Sequence, residues 1–106
     1  GAEGDSGGGG DTTRPQLIES TRVEPQFSES ALREKIQGGI VILESRIDER
    51  GDVRDVRVVR GVSKAIDKAI VDAFSRWKFH PATRRGRPVA VRYVLTVNVE
   101  PQMPSL

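Results

Sequence analysis

Val89-Ala90-Val91-Arg92-Tyr93-Val94-Leu95-Thr96-Val97-Asn98-Val99 is the stretch that decides the fold. Val89, Val91, Tyr93, Leu95, Val97 and Val99 fall on one face, an unbroken apolar set. Ala90, Arg92, Val94, Thr96, Asn98 and then Glu100 face the other way. A period of two belongs to a β-strand with one side against a core. The whole run is expected to be one strand, the third and longest of a sheet.

Upstream of it, Arg84-Arg85-Gly86-Arg87-Pro88 reads as a polar turn. Before that turn lies a helix, expected from Lys64 to Trp77 with Ser63 as its N-cap and Pro81 barring its continuation. Ile66, Ala69, Ile70, Ala73, Phe74 and Trp77 recur at three- and four-residue steps and form its apolar stripe. Ile40 to Ile47 and Val53 to Arg60 read as two further strands. The turn between them, Asp48 to Asp52, contains Gly51, which adopts a positive φ at little cost. So short a connection makes an antiparallel hairpin. Val41, Leu43, Ser45 and Ile47 share one face of it, Ile40, Ile42, Glu44 and Arg46 the other, and Val56 and Val58 should face the core. Ahead of the hairpin, Pro25 biases Glu24 toward extended backbone. Ser28 should cap a short helix reaching about Ile36, with Ala31, Leu32 and Ile36 on its apolar side.

The fold class that follows is α+β. A three-stranded antiparallel sheet, in the order β-hairpin, helix, third strand, carries the long helix on one face, with a short N-terminal helix beside it. Residues 22–100 should form the single domain that 106 residues allow. Residues 1–21 are expected to be a flexible tail, a linker or expression scar, because six of the first ten are glycine. Residues 101–106 form a C-terminal tail.

Composition narrows the function. There is no cysteine, so neither disulfides nor thiolate metal sites contribute. No apolar run approaches the roughly 20 residues that span a bilayer, so direct membrane insertion of this stretch is not expected. The net charge of +2 falls short of a nucleic-acid binder, and Tyr93 is the one strand aromatic on which a base could stack. His80 is the single histidine and stands beside Pro81 in a turn. Asp48, Glu49, Asp52 and Asp55 lack the spacing of a calcium loop, and Gly7–Gly10 lacks the flanking elements and Lys of a phosphate loop. Phe74, Trp77 and Phe79 read as core. No catalytic, cofactor-binding or metal-binding residue is expected, and the protein is not read as an enzyme.

Several segments, in order, resemble the TonB C-terminal domain family. Pro25-Gln26-Phe27 with Ala31 resembles its Pro-x-Tyr-Pro-x-x-Ala opening, with Phe for Tyr and Ser28 for the second Pro. Gly39 to Ile42, leading to Ile47 and the turn through Gly51 to Val53, looks like its first hairpin. Ala73-Phe74-Ser75-Arg76-Trp77-Lys78-Phe79-His80-Pro81-Ala82 resembles its Ala-x-x-x-Trp-x-Phe/Tyr-x-Pro signature, followed by Gly86-Arg87-Pro88-Val89. On this likeness Trp77, Phe79, Pro81, Gly51 and Gly86 are signature core positions. The resemblance implies a periplasmic module whose parent is anchored in the inner membrane of a Gram-negative bacterium. Such a module captures the TonB box of an outer-membrane transporter, and ExbB- and ExbD-like proteins energise the parent through its other parts; a TonB- or TolA-like connector or sensor domain of another trans-envelope system is the alternative that the same residues allow. It further implies that the third strand, Val89 to Val99, receives the box, with Glu24, Pro25, Gln26 and Phe27 nearby. An exposed edge of this kind could equally pair two copies into a homodimer.

Overall fold

A computed structural model describes residues 11–34 and 38–100. Along the chain run β1 (Thr12–Thr13), β2 (Gln16–Leu17), a 3-10 turn (Glu19–Thr21), α1 (Glu29–Arg33), β3 (Gly39–Ile47) and β4 (Val53–Arg60). They are followed by α2 (Lys64–Phe74), β5 (Phe79–His80), β6 (Ala82–Arg84), β7 (Arg87–Val89) and β8 (Val91–Val99). The main sheet has the order β4-β3-β8 and is antiparallel throughout. The α+β architecture is the one expected from the alternation pattern. Among the described residues no helix is long and apolar enough to cross a membrane.

The core sits where central β3 meets α2. Val41, Leu43, Ser45 and Ile47 are all buried, and the three aliphatic ones join Ile66, Ile70 and Phe74 of the helix in one cluster. Each such aliphatic side chain contributes about 1.5–3 kcal/mol by leaving water. Ser45 is the buried polar side chain among them. Its Oγ donates to the Tyr93 carbonyl at 3.0 Å, so burial leaves no unmet donor. Ser63 caps α2, its Oγ accepting from the Ile66 N–H, and the same hydroxyl donates to Glu34 beyond α1 at 2.7 Å. The two helices are thereby tied on the same side of the sheet.

Several elements differ from expectation. α2 ends at Phe74, and Ser75, Arg76 and Trp77 turn back by donating to Val71, Ala73 and Phe74. Trp77 therefore leaves the helix and is half-buried. Its Nε1 donates to the Val23 carbonyl at 3.1 Å, its ring meets Phe74 edge-on at 5.2 Å, and the Arg22 guanidinium lies 5.6 Å from its centroid. α1 is capped by Ser28 as expected but stops at Arg33, and Ile36 lies outside the described residues. Ala31, fully buried, carries its contact with the core, while Leu32 is 56% exposed. Val58, expected inside, is 40% exposed, because it adjoins an irregularity in edge strand β4.

The third strand is broken at Ala90. β7 pairs with β6 (Ala82 opposite Val89, Arg84 opposite Arg87), and only β8 pairs with β3. Val89 and Ala90 thus lie off the sheet edge. The cause is local: Arg85 and Gly86 have φ of 54° and 78°, the two positive values that a tight two-residue hairpin turn demands. The expected polar turn is the tip of a hairpin.

Residues 11–21 are not loose. β1 pairs with β6 (Thr12 opposite Arg84, Thr13 opposite Thr83) and β2 with β5 (Gln16 opposite His80, Leu17 opposite Phe79). Strands β5 and β6 offer an edge, and this segment fills it. Thr13 Oγ1 accepts from the Thr83 N–H at 3.0 Å, the Ile18 N–H donates to the Lys78 carbonyl at 2.9 Å, and half-buried Leu17 packs on the core. Residues 1–10 and 101–106, read as tails, lie outside the described residues.

Candidate functional site

A strand at the rim of a sheet directs alternate residues inward to its neighbour and outward to solvent. Two hydrogen bonds fix which residues of β8 do which. Just past β3, the Asp48 N–H donates to the Asp52 carbonyl at 3.0 Å, pointing across to the β4 side. By alternation Ile47 points the other way, toward β8, and so do Ser45, Leu43, Val41 and Gly39. The second bond agrees, since Ser45 Oγ reaches the Tyr93 carbonyl, which must face β3 to be reached. The register runs unshifted from Gly39 opposite Val99 to Ile47 opposite Val91. Val91, Tyr93, Leu95, Val97 and Val99 therefore bond inward. Arg92, Val94, Thr96 and Asn98 turn their N–H and C=O groups outward, where no described strand pairs with them.

The side chains sort by the same parity. Those of Val91, Tyr93, Leu95, Val97 and Val99 lie on the helix side and are only half-buried, because the core centres on β3. Tyr93 is the anchor, with its ring 5.0 Å from Phe79 and 6.1 Å from Phe74. Arg92, Val94, Thr96 and Asn98 are exposed on the far face. Beside them on β3, Glu44 takes Arg92 from β8 and Arg57 from β4, the latter at 2.6 Å. Hydrogen bonds from Arg92 first, then Arg57, hold the Glu44 carboxyl below its ordinary value.

The other expected contributors are placed differently. Glu24 and Gln26 are exposed, Pro25 and Phe27 are half-buried, and Phe27 packs against the core cluster. Among the described residues no hydrogen bond or strand pairing joins this segment to β8. The signature positions serve the framework. Gly51 has φ 85° and its carbonyl accepts the Phe79 N–H at 2.9 Å. A Cβ there would overlap the Phe79 carbonyl, so glycine is required. Phe79 is buried, half-buried Pro81 separates β5 from β6, and Gly86 turns the hairpin tip. The acidic hairpin turn is likewise structural. Asp48 accepts from the N–H groups of Asp52 and Arg50 and from Arg54, bonds led by that of Asp52, which lower its pKa. Among the described residues no three His, Asp or Glu side chains gather closely enough to hold a metal ion.

β8 thus presents an open, regular strand edge beside a helix-covered hairpin. Residues 23–100 match the family described as "Gram-negative bacterial TonB protein C-terminal". The chain belongs to the TonB C-terminal domain family. It is 31% identical over 75 residues to Protein TonB of Xanthomonas campestris, covering 70% of this chain and 33% of that protein. With Protein TonB of Vibrio cholerae it shares 29% over 89 residues, 78% of this chain and 36% of that one. The chain thus spans about a third of the length of these curated relatives. The solution structure of the Pseudomonas aeruginosa TonB C-terminal domain has the same fold. There the TM-score is 0.63 at 22% identity, covering 90% of this chain and 91% of that one.

Two features of this TonB C-terminal domain escaped the alternation pattern. One is the hairpin β6–β7, which Arg85-Gly86, a residue followed by glycine between short runs, could have announced. The other is the strap β1–β2, signalled only by Thr12-Thr13 and Leu17-Ile18.

Proposed function

We propose that β8 captures an extended peptide by strand addition, and that the peptide is the TonB box of an outer-membrane transporter. The observation that carries this is the outward parity of Arg92, Val94, Thr96 and Asn98, an unshifted row of backbone donors and acceptors. The half-buried row on the helix side supplies apolar surface for alternate side chains of the incoming strand. On this reading the domain works in the periplasm as the receiving end of an energy transducer. Its parent is anchored in the inner membrane and driven by ExbB- and ExbD-like proteins using the proton-motive force. The domain itself transmits rather than catalyses and needs no cofactor. Pairing of two β8 edges in a homodimer would occupy the same groups and compete with the peptide.

Proline substitution is the direct test, because proline lacks the N–H and is tolerated where that group faces solvent. Val94→Pro and Thr96→Pro should stay folded by circular dichroism and lose binding of a synthetic TonB-box peptide. Leu95→Pro removes an inward bond and should unfold or strongly destabilise the domain. If folded Val94→Pro and Thr96→Pro proteins bind like the parent, β8 is not the receiving strand.

A further inference from the structure

Arg84 and Arg87 stand directly opposite each other across the tip of the β6–β7 hairpin. Like charges so paired are destabilising, and among the described residues neither guanidinium is in an ion pair, whereas neighbouring Arg85 is held by Asp11 at 3.3 Å. All of Arg84, Arg85, Gly86 and Arg87 are exposed, and a Cβ at Gly86 would meet nothing within 4 Å, so the tip stands clear of the domain. Arg85 also holds a left-handed φ of 54°, where asparagine or glycine would be cheaper. A repelling, exposed pair on a stiff turn is the arrangement that an anionic ligand relieves.

Its place in the chain indicates whose anion. β7 leads through Ala90 straight into β8, so Arg87 lies five residues, about 17 Å of extended chain, before the outward-facing edge begins at Arg92. Arg92 stands at the near end of that edge, and the far end runs into Asn98 and Glu100. The basic character is thus confined to one end of the proposed peptide track. We propose that Arg84 and Arg87 are a second contact for the partner whose strand joins β8, binding a run of acidic residues that flanks the strand-forming segment. This rests on the strand-addition reading. It adds that the partner has a charged flank and that the flank fixes the direction in which its strand docks.

The test uses three synthetic peptides that share one TonB-box segment: neutral at both ends, with four aspartates at the N-terminal end, or with four aspartates at the C-terminal end. Binding to the whole chain is followed by amide shifts. One acidic peptide should bind about five- to tenfold tighter than the neutral one, as two exposed arginine–carboxylate pairs allow, and should move the amides of residues 84–87 as well as those of β8. Arg84→Gln/Arg87→Gln should erase the gain, as should 0.5 M salt, while leaving the neutral peptide's affinity unchanged. A neutral peptide that binds with no gain from either flank, or a gain that survives the double variant, overturns this inference and leaves strand addition standing. If no peptide moves β8, strand addition fails first. Retention on phosphatidylglycerol vesicles that depends on the two arginines, with no flank effect, would overturn it in favour of a lipid surface.

Discussion

The two edges of the main sheet, β4 and β8, share a central partner and treat the outside world in opposite ways. β4 carries an extra residue at two places, opposite Ile42–Leu43 and opposite Glu44–Arg46, and Asp55 occupies the second with φ 55°. Exposed Arg54, Asp55 and Arg57 are each cross-linked: Arg54 to Asp48 at 3.0 Å, Asp55 to Arg46 at 3.2 Å, Arg57 to Glu44. Bulges and charges are the means by which sheets prevent edge-to-edge pairing. β8 has neither device along its outward groups, apart from Arg92 at one end. An edge left regular beside one so guarded fits the proposed strand addition. That contrast supports the assignment of partner binding to β8 more directly than any single side chain does.

The sharpest way to break the comparison is to ask which edge the core holds. Tyr93 of β8 stacks on Phe74 and meets Phe79 edge-on, whereas Val58 of β4 is 40% exposed. Tyr93→Ala should lower stability by about 2–4 kcal/mol, somewhat under the range for a fully buried aromatic. Val58→Ala should lower it by less than about 1 kcal/mol. Denaturant melts compare the two directly. Equal losses would mean that β4 is anchored as firmly as β8 and that bulges alone distinguish the edges.

What could be read in advance from these strands follows from what alternation reports. Period-two patterning marks which residues meet the core, so the buried face of β3 and the helix that covers it were legible from Val41, Leu43, Ile47, Ile66, Ile70 and Phe74. Hydrogen-bond parity leaves no trace in hydrophobicity, so which residues of β8 point outward required the Asp48–Asp52 and Ser45–Tyr93 bonds. The break at Ala90 was hidden for the same reason, since Val89 and Val91 stay in phase across it while changing partners. The strap β1–β2 is held mostly by backbone bonds and threonine hydroxyls on an exposed edge, and only Leu17 gives it an apolar signature.

Straightening β4 is the next test. Removing Asp55 leaves Arg54, Val56 and Arg57 in place to face Arg46, Ser45 and Glu44 one to one, so the register on either side is kept. The deletion also removes a residue from the left-handed region, worth about 1–2 kcal/mol, against loss of an exposed ion pair worth about 0–1 kcal/mol. The deletion variant should therefore fold with stability within about 1 kcal/mol of the parent. It should also self-associate more strongly in sedimentation, because β4 now offers a straighter edge. Unchanged association would show that the charges, not the Asp55 bulge, guard β4.

The smallest expected effect concerns the residue that links both edges. Glu44 on central β3 accepts Arg92 from β8 and Arg57 from β4, and those bonds depress its pKa below the ordinary 4.5. A carboxylate with a depressed folded-state pKa adds stability above the unfolded value, and loses it as pH falls through the folded value. The parent's melting temperature should therefore exceed that of Glu44→Gln at pH 6–7, with the gap closing on acidification below 4.5. Asp48, also depressed through its bond from the Asp52 N–H, titrates in both proteins, so it shapes each curve and cancels from their difference. Because Arg57 and Arg92 are exposed, the gap should also shrink in high salt. The absence of a gap at pH 6–7 would mean that Glu44 links the two edges by packing its stem, which glutamine keeps, rather than by its charge. The link between β4 and β8 would then be independent of pH.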